Sequence, residues 1–116
     1  PINTRDQEYI QTILHRSDCF QGRVASRGQI QVQLGFPQHE EWVEIFKEWW
    51  RYGLEQWHKR QTQISTARFL CELGPPPSYA ITDANQLELS DRWQEALIIK
   101  KWIEEIWQEI ESKHEG

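Results

Sequence analysis

Apolar residues recur at helical spacing in three long stretches of the chain and at every second position in another. Thr4 and Gln7 read as a capping box, with Asp6 and Glu8 in the first turn, where the helix dipole favours negative charge. Tyr9, Ile10, Ile13 and Leu14 follow three or four apart, which predicts a helix over 4–16. The period then changes. Gln29-Ile30-Gln31-Val32-Gln33-Leu34 alternates strictly, placing three apolar residues on one face of a strand and three glutamines on the other. Phe20, Gly22 and Val24 make the same two-residue step, and Ala25-Ser26-Arg27-Gly28 between the two runs has turn chemistry. The pattern predicts a β-hairpin pairing 19–25 with 29–35. Two strands alone are marginal in water, so its apolar face must lie on a helix.

The strongest element runs from Glu40 to Arg60. Trp42, Val43, Ile45, Phe46, Trp49, Trp50, Tyr52, Leu54 and Trp57 occupy an arc of roughly 200° on a helical wheel. Gly53 falls near the centre of that arc. A glycine inside a helix costs about 1 kcal/mol against alanine, so its place on the apolar stripe points to a neighbour packed closely against the backbone. Ser65 or Thr66 can cap a short helix through Ala67, Phe69, Leu70 and Leu73, stopped by Gly74 and the prolines at 75–77. Residues 74–89 read as a connection, with 86–89 as a brief strand. Ser90 is the expected cap of a last helix over 90–112, with Asp91 in its first turn. Trp93, Ala96, Leu97, Ile98, Ile99, Trp102, Ile103, Ile106, Trp107 and Ile110 span roughly 260° of its wheel. The fold class that follows is α+β and mainly helical, in one small domain over 1–116, with an all-α bundle as the alternative.

Composition narrows the function classes. The 116 residues carry 13 basic and 18 acidic side chains, net −5, and the acidic excess lies in the C-terminal third. That balance disfavours a binder driven by electrostatics toward nucleic acid or a membrane surface. The longest aliphatic run is Ala96-Leu97-Ile98-Ile99, far short of the roughly 20 residues of a membrane span, and no basic-then-apolar leader is evident. A soluble cytoplasmic domain is the expectation. Cys19 and Cys71, the only two cysteines, sit beside apolar neighbours and read as buried reduced thiols. Trp42-Val43-Glu44 and Trp102-Ile103-Glu104 resemble each other for three residues only, too short a match to indicate duplication.

Candidate chemistry is sparse. His15 and Cys19 lack further ligands at useful spacing, and His39-Glu40-Glu41 lacks the second histidine of a zinc-protease helix. The acids of 40–48 are interleaved with Lys47 and Arg51 in the manner of a solvated face, and no glycine-rich phosphate loop or nucleophile elbow is present. No catalytic, metal or cofactor residue is therefore assigned, and an enzyme is not expected. Arg16, Arg23 and Arg27 surround the expected hairpin, whose outward glutamines could meet bases or sugars. A small subunit of a nucleic-acid-handling complex is accordingly the alternative reading, and a small-molecule pocket between the two tryptophan-rich helices is a third. The leading expectation comes from the seven tryptophans. Covering one aromatic ring removes ~150–250 Å² from water, and it is hard for a chain of this size to cover a 260° arc unaided. The reading is a protein-protein interaction module, an adaptor or small subunit. Its C-terminal helix would meet a protein partner or a second copy through Ile98, Trp102 and Ile106, with Trp50 contributing.

Overall fold

The computed structural model describes residues 2–61, 65–74, 83–85, 87 and 89–115. Three helices and a two-stranded sheet follow in the order α1 (Thr4–His15), β1 (Cys19–Gly22), a 3-10 turn (Pro37–His39), α2 (Glu40–Arg60), β2 (Arg68–Cys71) and α3 (Arg92–Glu115). The fold is α+β and mainly helical, as the periodicities predict. Both long helices match their expected spans closely, because a wide apolar arc over five or more turns leaves little choice of register.

Caps differ from expectation by one residue at two places. Asn3, not Thr4, caps α1: its side-chain oxygen accepts from Asp6 N at 2.8 Å, and its amide donates back to the Asp6 carboxylate at 3.1 Å. At α3, Asp91 accepts from Gln94 N at 3.0 Å and is the cap, while the Ser90 hydroxyl turns to the Glu95 carboxylate.

The sheet corrects the hairpin. β1 pairs in parallel with β2, Cys19 opposite Arg68 and Gly22 opposite Cys71, and Glu72 N extends the ladder to Gly22 O at 3.0 Å. Parallel strands need a crossover of a dozen or more residues, and α2 supplies it. Residues 65–73, expected as a short helix, instead contain β2. Phe69, Cys71 and Leu73 face the core and Leu70 is exposed, so the period actually used there is two. Ser26 N still closes a turn onto Gln29 O, but only Val32 N to Val24 O follows it. Residues 29–35 form no strand. Ile30 is exposed, whereas Gln31, Val32, Gln33 and Leu34 are buried in succession, a run that a half-buried strand cannot produce. Gln31 and Gln33 lie inward while Gln29 is exposed. Gln31 donates to Gly74 O at 3.0 Å and accepts from Gly74 N at 2.6 Å. Gln33 O accepts from His39 Nδ1 at 2.8 Å. The expected proline stop at 75–77 lies outside the described residues, as do positions 86 and 88 of the expected strand at 86–89.

Two clusters form the core. Val24, Val32, Leu34, Val43, Trp50 and Ile99 make the first; Phe20, Leu54, Trp57, Ile106 and Ile110 make the second, and Phe69 and Ile103 lean on both. α1 rides on α2 with no buried residue of its own, held by Trp49 Nε1 donating to Gln7 and by His15 donating to Gln56. Arg60 fixes the exit from α1 through the carbonyls of His15 and Ser17 and the Asp18 carboxylate.

Gly53 meets the close neighbour expected of it. A Cβ there would stand 2.5 Å from the ring of Phe20, itself 6% exposed and enclosed with Leu54 and Trp57. Overpacking of this kind costs about 1–3 kcal/mol, more than the ~1 kcal/mol that alanine gains in helix propensity. Gly53→Ala will therefore lower the thermal midpoint. A midpoint equal to or above wild type would show that the Phe20 ring yields freely.

Candidate interaction surface

The start of α3 is organised by charge rather than by apolar contact. Arg92 and Glu95, both buried, lie on the inward side of the first helical turn. The Glu95 carboxylate accepts from Leu34 N at 2.5 Å, Ser90 Oγ at 2.8 Å and Arg92 Nη1 at 2.9 Å. Arg92 also points at Val32 O, 3.5 Å away. This pin ties the helix to residues 32–34, 60 positions earlier or more. Gln33, within the pinned segment, is fully buried, and its Nε2 has no hydrogen-bond partner among the described residues. Further along the same side Ile99, Ile106 and Ile110 enter the core.

With Arg92 and Glu95 turned inward, the apolar residues beside them are turned out. Trp93 is 70% exposed, Leu97 41% and Ile98 42%, and Leu87 and Leu89 just upstream are also exposed. The 260° arc therefore divides. One part fills the core and the other faces solvent over the first two turns.

The sequence-derived contact residues separate accordingly. Ile98 is exposed. Trp102 is half-buried against the first core cluster, with Lys47 Nζ 4.8 Å from its ring centroid. Ile106 and Trp50 are enclosed by the chain's own core at 2% and 3% exposure and present no surface to a partner. Trp93 and Leu97 were not singled out as contact residues. Helical spacing placed them on the arc, but which flank faces the core is decided by the buried ion pair, which an apolar-inward rule gives the wrong way round.

Along the C-terminal half of α3, a groove of about 400 Å³ opens between Leu54 of α2, Ala67 and Phe69, and Ile103 and Trp107 of α3, with Glu104 and Glu111 on its rim. Leu54 is the residue α2 contributes to its lining; the other walls come from residues 65–69 and α3.

Arg16 follows the end of α1 and is exposed; Arg23 is half-buried after β1; Arg27 is exposed at the turn. The glutamine row that accompanied them in the nucleic-acid reading is inside the protein at positions 31 and 33. Cys19 is exposed, contrary to expectation, and Cys71 is half-buried; both are free. Burial pushes the Cys71 thiol up, and Lys100 partly offsets that. The register sets the cysteines three steps apart along the sheet, roughly 10 Å, beyond the ~7 Å limit between bridged Cα atoms. Among the described residues, no three His, Cys, Asp or Glu side chains converge on a metal-sized space, and no helix is long and apolar enough to cross a membrane. No known family, curated protein or solved structure matches the chain.

Proposed function

We propose that this chain is a non-catalytic protein-protein interaction module, an adaptor or small subunit, that docks through the outward face of α3. The observation that carries this reading is Trp93, 70% exposed on a well-formed helix, with exposed Leu97 one turn further on the same face. An aromatic side chain buries ~150–250 Å² when covered. At about 25 cal/mol per Å², covering the part of Trp93 now in water contributes roughly 2.5–4 kcal/mol to an interface. Aromatic anchors of this kind dominate binding energies where they occur at the centre of an interface.

A photo-activatable phenylalanine analogue at position 93 tests the reading in lysate of the native cell. A discrete adduct is expected, and Leu97→Asp should abolish it while leaving the far-ultraviolet circular dichroism unchanged. Irradiation that yields no adduct of any mass removes the proposal.

A further inference from the structure

Six residues that reach the surface of α3 follow one another at alternating intervals of four and three: Trp93, Leu97, Lys100, Glu104, Trp107 and Glu111. Positions at this spacing lie along one line of the helix, on which a second helix can be laid. The second half of the seam borders the groove between Ile103, Trp107 and Phe69, where Glu104 and Glu111 form the rim. The order of chemical types along it is aromatic, aliphatic, cation, anion, aromatic, anion.

Laid antiparallel on itself about a two-fold axis level with Trp102, this order is self-complementary. Leu97 falls opposite Trp107 of the second copy, at the mouth of its groove. Lys100 falls opposite Glu104 and Glu104 opposite Lys100, while Trp93 reaches the groove rim at Glu111. Every layer pairs the two kinds of seam position, as antiparallel packing requires, and the contact is isologous. A parallel arrangement would set Lys100 on Lys100 and Glu104 on Glu104, like charges at close range. Within one chain Lys100 already reaches Glu104 at 3.1 Å, so pairing gathers four alternating charges into a ring.

We infer that the partner for this face is a second copy of the chain, bound antiparallel along α3 with Leu97 entering the opposite groove. The inference rests on the docking role proposed above for α3 and names its occupant. A seam from 93 to 111 is about 27 Å long at 1.5 Å per residue and roughly 10–12 Å wide. It covers about 300 Å² per copy, well under the ~800 Å² per partner of stable interfaces. The dimer is therefore weak, and concentration governs it.

Sedimentation equilibrium from about 10 µM to 1 mM tests the inference. The expected result is a weight-average mass rising from 14.0 kDa toward twice that value. Lys100→Glu and Glu104→Lys change exposed side chains and should each keep the chain monomeric, since each sets like charges opposite one another. Mixed in equal amounts they should associate at least as well as wild type, because both cross-pairs are then favourable. A wild type that stays at 14.0 kDa to 1 mM overturns the inference, as does a single variant that dimerises normally or a mixture that fails to associate. A monomeric wild type that still gives a heterologous adduct at position 93 overturns the second copy alone. A monomer with no adduct overturns the docking role as well.

Discussion

Glu95→Ala will cost about 3–5 kcal/mol of folding stability, the loss typical when one member of a buried ion pair is removed. That is a large share of the 5–15 kcal/mol that holds a typical domain together. The substitution strips an acceptor from three donors, Leu34 N, Ser90 Oγ and Arg92 Nη1. It leaves the guanidinium of Arg92 buried without its carboxylate. Urea denaturation followed by tryptophan fluorescence checks the effect. Glu95→Gln keeps one acceptor oxygen for Ser90 Oγ and Arg92 Nη1 but turns an amide donor toward Leu34 N and loses the charge, so it should recover only part of the loss. Replacing both partners together, Arg92→Met with Glu95→Leu, should recover much of the loss, since apolar side chains of similar size often substitute well for a buried pair. A loss below ~1 kcal/mol for Glu95→Ala would mean that Arg92 reaches water once released.

Trp50→Ala is expected to cost about 3–5 kcal/mol through the cavity it leaves. The ring is 3% exposed, edge-on to Phe69 at 5.5 Å and tilted against Phe46 at 6.1 Å. Trp93→Ala on the outward face should stay within about 0.5 kcal/mol of wild type. The pair of variants separates two uses of one residue type, and chemical denaturation of both in parallel reads it. Equal losses would show that Trp93 is covered by its own chain.

The helices were legible from the sequence because periodicity over several turns is redundant: one ambiguous position does not shift the frame. Gly53 was legible for a related reason, since a costly residue at the centre of an apolar arc needs a close neighbour, and Phe20 is that neighbour. The sheet was not. Phe20 pairs with Phe69 across the whole of α2, while the alternation at 29–34 offered a nearer partner with good turn chemistry. Residues 67–73 satisfied two periods at once, because Ala67, Leu70 and Leu73 fit a helix and Ala67, Phe69, Cys71 and Leu73 fit a strand. Tertiary pairing chose the second.

The outward face of α3 was legible only in part. Its excess of apolar surface followed from counting the wheel, but Arg92 and Glu95 reverse the usual sense of burial where it matters. No local pattern signals that two charged side chains will go inside. The partners that satisfy them, Leu34 N and Val32 O, are about sixty residues away.

That distance also constrains how the protein is made. On the ribosome, residues 31–34 emerge long before Glu95 does. Until then the Leu34 amide lacks its acceptor, and the hydrophobic side chains around it lack Ile99. The sheet, too, waits for residue 71 to pair with Gly22. Folding of this region thus waits for α3 to emerge, and a nascent chain stalled before α3 should remain open to protease throughout residues 24–34.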